Sequence, residues 1–414
     1  MIFNKERSYI FYRRLKAFCN SLAFYLCRVF PIDKKLVSVC TFEGKGGFGC
    51  NPKYIVQELH KRDPELRFVW FVNDMSKEFP DYIKHVSNTL WNRAYWLSRS
   101  KIWIDNYRKP YGTIKRNGQF YVNTWHGMIG FKTIGLWRGK AFSKMAYLVS
   151  KNDSNMVDYF LSDSKFCSTF FPKGLVYSGS FLESGSPRCD ILIQKNDAIK
   201  RRFRIKYELP LDCKCLMFAP TFREISASGK RSIFSESFTI DFERVLKNMS
   251  SKFNSEWYLC LRLHPQLCHL KYQIPNVKFV DISSEDDMYE NLAAMDAFIT
   301  DYSSCAMDAE LLHIPVFIYA DDIGQYKTDR GDFVWEIDEK SRGYAPLNHI
   351  MLPELNAVLP FTIAHNNDEL EKDILNFDRE WYLQKLAEYE LGVGLITDGM
   401  ASTRVSEEIM KHIK

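Results

Sequence analysis

Two successive hydroxyls, Ser303 and Ser304, follow the apolar run Ala297 to Thr300 and the pair Asp301-Tyr302. The run reads as the end of a buried strand, Asp301 and Tyr302 as a tight turn, and Ser303 onward as a helix with Ala306, Ala309 and Leu312 on its apolar face. The free amides at such a start, two hydroxyls and the positive end of the macrodipole form a site for a phosphate or diphosphate. Asp308, one turn after Ser304, shares that face and is placed to accept hydrogen bonds from sugar or polyol hydroxyls. The plainer alternative is that one of the serines only caps the helix.

Other strand ends offer matching chemistry. Thr124-Trp125-His126-Gly127 closes an apolar run and leads to Lys132, Arg138 and Lys140. An imidazole at the carboxyl end of a parallel strand faces the ligand crevice and can serve as a general base. In Arg262-Leu263-His264-Pro265, alternation puts the cation and the imidazole on one side, and the proline ends ladder pairing. That pairing suits a diphosphate. Ala219-Pro220-Thr221-Phe222-Arg223, Ser186-Pro187-Arg188 and Asp329-Arg330-Gly331-Asp332 are further turns, each carrying an arginine. Taken singly, each motif is also explained by a local hydrogen bond or by surface charge, whereas five anion-binding segments around one cleft are not.

Gly44-Lys45-Gly46-Gly47-Phe48-Gly49 has the GxGxxG spacing of a dinucleotide fingerprint, with Asp74 after the next strand. Its third glycine precedes the helix expected at Pro52 instead of lying inside it, so a flexible glycine loop lining the cleft is the better reading. The chain has neither a Walker A sequence nor a DxD metal motif. No cofactor or metal is therefore expected, and cations would neutralise the leaving nucleotide.

Strands and helices must carry these turns. Strand-like runs at 36–40, 68–72, 101–105, 120–124 and 159–162 alternate with helical patterns such as 52–62 and 90–100. A second alternation has strands at 216–219, 257–263, 277–280, 297–300 and 316–318, and the basic run Lys195 to Lys206 reads as the helix joining the halves. Such alternation argues for parallel sheets covered by helices, and hence for two doubly wound domains facing a cleft. Leu383, Leu386 and Leu391, then Val405, Ile409 and Ile413, mark two closing helices.

Residues 1 to 30 set Ile10, Leu15, Phe18, Leu22, Leu26 and Val29 at helical spacing among Arg13, Arg14, Lys16 and Arg28. The apolar stretch is too short to span a bilayer and lacks a signal-peptide cleavage site. A basic, aromatic, amphipathic helix lies either on a membrane surface or on the protein's own core. With 414 residues, 46% hydrophobic and 26% charged, the chain is globular, and a net charge of +5 suits anionic partners without arguing for nucleic acid. Eleven cysteines without zinc spacing read as reduced, mostly buried thiols of a cytosolic protein.

Asn51-Pro52-Lys53-Tyr54, Trp125-His126-Gly127, Pro187-Arg188, Ala219-Pro220-Thr221, Arg262-Leu263-His264-Pro265, Thr300-Asp301-Tyr302-Ser303-Ser304 with Asp308, and Arg330-Gly331 stand in one order. In these the chain resembles the CDP-glycerol glycerophosphotransferases, the teichoic-acid primases and polymerases that transfer a polyol phosphate from a CDP-activated donor. The resemblance covers roughly residues 36 to 340 and implies an α/β, GT-B-like fold with CDP-glycerol held mainly by the C-terminal half. It further implies donor contacts at His126, Gly127, Arg188, Thr221, Arg262, His264, Ser303, Ser304 and Asp308, with Trp125, Lys132, Arg223, Asp301, Arg330 and Gly331 grouped beside them as substrate-binding. One departure stands out: Met128-Ile129-Gly130-Phe131-Lys132 replaces the family's WHGT-P-L-K loop and is one residue longer.

The expected domains are an amphipathic helix over 1–34, an acceptor domain over 35–190, a CDP-donor domain over 191–375 and closing helices over 376–414. The expected reaction adds a polyol phosphate to a hydroxyl of a membrane-linked glycan or polyol-phosphate acceptor at the cytoplasmic membrane face, with release of CMP. His126 is expected as the base and His264 as the alternative. A GT-B glycosyltransferase using a nucleotide sugar and an inert membrane-docked module for anionic polymers are the competing readings.

Overall fold

The two alternations fold into two parallel sheets, and the computed structural model describes residues 2–194, 197–221, 238–263, 274 and 276–413. One unit comprises Met1–Met128, Ile134–Asp190 and Asp398–Lys414, and the other Ile129–Thr133 and Ile191–Thr397.

In the first unit, β1 (Asp33–Cys40), β2 (Arg67–Val72), β3 (Ile83–Ser87), β4 (Ser100–Asp105), β5 (Phe120–Asn123), β6 (Tyr159–Ser162) and β7 (Ser180–Glu183) form one sheet of order β3-β2-β1-β4-β5-β6-β7. In the second, β8 (Lys214–Phe218), β9 (Trp257–Leu261), β10 (Phe279–Asp281), β11 (Ala297–Thr300), β12 (Val316–Tyr319) and β13 (Thr362–Ala364) are ordered β10-β9-β8-β11-β12-β13. Val37, Val39, Trp70, Ile102, Ile104 and Val122 in the first sheet, and Leu216, Leu259 and Ile299 in the second, have essentially no exposed surface. Helices on both faces explain why these strands read as continuous apolar runs. Strand order reverses between β1 and β4 and again between β8 and β11, and loops at the carboxyl ends beside such a reversal are where ligands bind.

Strands β3, β7 and β13 escape the sequence reading because each lies at a sheet edge and is short, and β3 and β7 are also covered too little to need a continuous apolar run. The closing helices go to different units. Arg379–Val393 buries Tyr382, Leu386, Tyr389 and Val393 in the second, leaving Leu391 84% exposed. Ala401–Ile413 buries Val405, Ile409 and Ile413 in the first, and the Asp190 carboxylate accepts from the amides of Ala401 and Ser402 at its start.

Helix α1 (Ile2–Leu26) packs through a narrow stripe of Ala17, Asn20, Ala23 and Phe24. Asn20 Nδ2 donates to the Tyr111 carbonyl at 3.0 Å and Ser21 Oγ to that of Gly112 at 2.9 Å. Gly112, at φ +86, lets the two backbones meet, since a Cβ there would lie 2.2 Å from the Ala17 carbonyl oxygen. The rest of α1 presents Phe11, Tyr12, Leu15, Phe18 and Leu22 to solvent, so the helix both packs on the protein and keeps an uncovered aromatic face. Among the described residues no helix is long and apolar enough to cross a membrane.

Candidate active site

Strand β5 ends at Asn123, and the chain then makes a turn in which Trp125 takes φ +50. A tryptophan adopts this left-handed conformation only where its surroundings over-determine it, and here they do. The carbonyls of Thr124 and Trp125 both accept from Asn51 Nδ2 at 3.3 Å, and the His126 carbonyl accepts from Arg188 Nη1 at 2.6 Å. Asn51 Oδ1 in turn accepts from Ser186 Oγ at 3.1 Å and from the Arg188 amide at 3.0 Å. One buried asparagine at the start of α2 (Cys50–Arg62) thus ties the β5 turn to the 186–188 turn.

The imidazole of His126 is half-buried. Its ring packs at 5.1 Å on Tyr107 and meets the edge of Phe42 at 5.6 Å. Nδ1 lies 2.8 Å from the Asn106 carbonyl oxygen. A carbonyl only accepts, so the proton sits on Nδ1 and Nε2 keeps its lone pair. Burial lowers the imidazole pKa to about 4, with the charges of Arg188 and Arg108 acting in the same direction. The ring is therefore neutral at physiological pH, in the form a proton acceptor needs.

In the second unit the turn after β11 lies beside the strand-order reversal. Asp301, 5% exposed, accepts from the Thr221 amide and the Thr221 hydroxyl, both at 2.8 Å, while Thr300 Oγ1 donates to the Ala219 carbonyl at 2.6 Å. The turns after β8 and β11 are thereby joined. Ser303 and Ser304 are half-exposed, and the helix they lead into is a short one, Cys305–Ala309, continued by a 3-10 turn over Glu310–Leu312. Ser303 Oγ accepts from the Cys305 amide at 3.3 Å, whereas the Ser304 hydroxyl makes no capping bond.

Residues Ile129–Thr133 belong to this second unit. A Cβ on Gly130 would lie 3.3 Å from Ser304 Cβ, the Gly130 carbonyl accepts from Trp335 Nε1 at 3.0 Å, and the Val334 amide donates to the Phe131 carbonyl at 2.8 Å. The Lys132 ammonium lies 5.2 Å above the Tyr326 ring, which packs with Tyr302 and Phe333. Among the described residues no three His, Cys, Asp or Glu side chains gather into a set able to hold a metal. A cavity of about 380 Å³ bordered by Lys101, Phe120, Asp158, Ser180 and His412 opens at the opposite, amino ends of β4 to β7 and includes none of the expected site residues.

A family model for CDP-glycerol:poly(glycerophosphate) glycerophosphotransferases matches residues 22–345. The chain belongs to this family. The teichoic acid poly(glycerol phosphate) polymerase of Bacillus spizizenii is 27% identical over 98% of this chain and 100% of its own length. The teichoic acid glycerol-phosphate transferase of Staphylococcus aureus is 25% identical over 92% of this chain and 94% of its own. The Bacillus subtilis polymerase is 26% identical over 77% of this chain, which spans 43% of that longer protein. The solved wall teichoic acid polymerase TagF superposes with a TM-score of 0.76 at 24% identity, covering 97% of each chain, and carries the same two-unit, GT-B-like fold.

Within this glycerophosphotransferase several expected contact residues hold other residues in place. Arg188, 1% exposed, supports the His126 loop. Asp301 clamps Thr221. Arg262, 8% exposed, donates through Nη1 to the carbonyls of Ile282 and Glu285 at 2.5 and 2.6 Å, and Asp308 accepts from the Tyr289 hydroxyl at 2.6 Å. Gly331 takes φ +90 after the helix Ile323–Arg330. His264, Arg223 and the Arg330 side chain lie outside the described residues. The glycine loop is pinned: Glu43 at φ +56 has its carbonyl held by Asn73 and Asn88, and the loop is closed by Thr41. The sequence reading missed Asn51, Asn106 and Tyr107 as members of the site. Only Asn51 had a signal, its place in the Asn51-Pro52-Lys53-Tyr54 motif, in a helix that begins at Cys50, two residues before the expected start.

Proposed function

We propose that this protein transfers a polyol phosphate, glycerol phosphate in the first instance, from a CDP-activated donor to a hydroxyl of a membrane-linked glycan or polyol-phosphate acceptor in teichoic acid or surface-polysaccharide synthesis. The acceptor oxygen bonds to the polyol-bearing phosphorus, the bond to the bridging oxygen breaks, and CMP leaves with that oxygen. The acceptor proton passes to His126 Nε2. The observation that carries this reading is the Nδ1 bond to Asn106, which leaves Nε2 of a neutral imidazole free to accept, in a chain of this family. Four residues further along, Gly130 packs on Ser304 within the second unit.

In this reading the Ser303-Ser304 turn and Thr221 hold the donor diphosphate. The charges of Arg262, Lys132, Arg223, Arg330 and His264 counter what builds on the leaving group. Relatives acting on glycerol phosphate and the family description support the donor class. The uncovered aromatic face of α1, with Arg13, Arg14 and Lys16, supports peripheral attachment to an anionic membrane at its cytoplasmic face.

The test is a panel of CDP-glycerol, CDP-ribitol and nucleotide sugars presented to the purified protein with a lipid-linked acceptor. CMP release from a CDP-polyol, falling about 1000-fold in His126→Ala at saturating donor, is the expected result. Release of UDP or GDP instead would establish a glycosyltransferase, and binding without turnover would leave a scaffold.

A further inference from the structure

Behind the His126 turn lies a buried polar cluster that takes no direct part in the transfer chemistry. Asn123, the last residue of β5, has no exposed surface, and its Oδ1 accepts from the Trp125 amide at 2.9 Å. Its Nδ2 donates to the Tyr107 carbonyl at 2.9 Å, the Tyr121 hydroxyl at 3.1 Å and Asp153 Oδ2 at 3.3 Å. Asp153, in α4 of the first unit (Lys144–Ser154, with α3 at Leu90–Arg99), is equally buried. Its Oδ1 accepts from the Lys109 amide at 3.0 Å and the Tyr121 hydroxyl at 3.2 Å.

A side-chain amide has a donor end and an acceptor end, and what one end meets decides where the other points. With a carboxylate and two further acceptors around Nδ2, the Asn123 oxygen has to face the Trp125 N–H. That bond closes the left-handed turn from which His126 departs.

We propose that Asn123, oriented by Asp153, is a positioning residue for the transfer: it holds the Trp125 turn and thereby aims His126 Nε2 at the acceptor hydroxyl. The inference rests on the reading of His126 as the base.

The cluster also carries a pH dependence. Facing Asp153 are Asp105, paired with Lys109 Nζ at 2.5 Å, Arg108, whose guanidinium lies 4.7 Å above the Trp125 ring, and the Tyr121 phenol. Burial, with the charge of Asp105 adding to it and the Lys109 amide and the charges of Lys109 and Arg108 opposing it, raises Asp153 to about 7. Lys109 N and Tyr121 Oη donate to Oδ1 and Asn123 Nδ2 to Oδ2, so a proton arriving there discharges the carboxylate that the Asn123 amide faces and weakens its hold on that amide. Asp153 is ionised above its pKa and protonated below it. The rate at saturating donor is accordingly expected to fall as pH drops through about 7, although His126 stays neutral down to about 4.

The experiment measures kcat and donor KM for CMP release by the full-length protein between about pH 5 and 9. Asn123→Ala is expected to lower kcat about 100-fold with donor KM little changed. Asp153→Asn should lower it about tenfold and flatten the limb near 7. The exchanged pair N123D/D153N, which restores an oxygen toward Trp125 N and an amide donor between the two positions, should recover about tenfold over N123D alone. Folded single variants that keep kcat within about threefold, or a limb near 7 that persists in Asp153→Asn, would overturn the inference. Should the variants fail to fold, the wild-type profile decides, because a kcat that stays level through pH 7 is incompatible with it. Undiminished turnover in His126→Ala defeats the base assignment itself, whereas a dead His126→Ala beside a wild-type-like Asn123→Ala defeats only the positioning role.

Discussion

The turn after β5 and the turn after β11 each close a strand of a parallel sheet, yet they are held by different parts of the chain. Around His126 the grip is made by side chains: Asn51 on two carbonyls, Arg188 on a third, Asn123 on an amide. Around Ser304 one carboxylate, Asp301, joins two turns, and the two serines remain half-exposed. On the proposed function the difference follows from what each turn has to present. A base needs one nitrogen aimed in one direction, and a single misaligned bond loses it. An anion is recognised by several converging donors, none of which has to be placed so tightly.

Three substitutions test that contrast. Asn51→Ala is expected to do the most, because it leaves the Thr124 and Trp125 carbonyls and the Arg188 amide without their buried partner. Stability should drop by about 2–4 kcal/mol and kcat by about 100-fold, read by thermal unfolding and CMP release. If neither moves, the first turn is held by its own backbone and the contrast disappears.

Asp301→Asn keeps the shape but leaves one acceptor where Thr221 now uses two. The loss of one charge-assisted bond, about 1.5 kcal/mol, should weaken donor binding about tenfold by calorimetry while kcat changes less. A collapse of kcat at unchanged donor affinity would mean that this turn positions reacting atoms as strictly as the first. Gly130→Ala should do least. Its new methyl group would sit 3.3 Å from Ser304 Cβ, so the serine turn must give by a few tenths of an ångström. Donor KM is expected to rise about threefold, and no change would show that the turn tolerates displacement.

Much of this was legible beforehand in particular residues. The apolar runs of β6 and β11 were read to the residue, because a strand buried on both faces has to be apolar throughout. His126, Thr221, Ser303 and Ser304 were legible as strand-end groups, since a strand followed by Gly, Pro or Ser at a sheet's carboxyl end has few other readings. Asn51 stands in a motif that does not mark it as a support, and Asn106 has no signal, because it acts on the histidine through a backbone carbonyl that any residue could supply. The bond that Asp308 accepts from Tyr289, nineteen positions earlier in the chain, is a pairing that helical spacing cannot foresee.

The sequence by itself determined the doubly wound class, the succession of strand-end motifs and the family, because these depend on local periodicity and on residue types in order. Only the tertiary structure decided which carboxylates and arginines support their neighbours, that α1 packs by a narrow stripe and leaves its aromatic face open, and that the imidazole is neutral with Nε2 as acceptor. Those properties depend on burial and on hydrogen bonds between segments far apart in the chain, such as Asn51 with Trp125 and Thr221 with Asp301, and no local pattern encodes them.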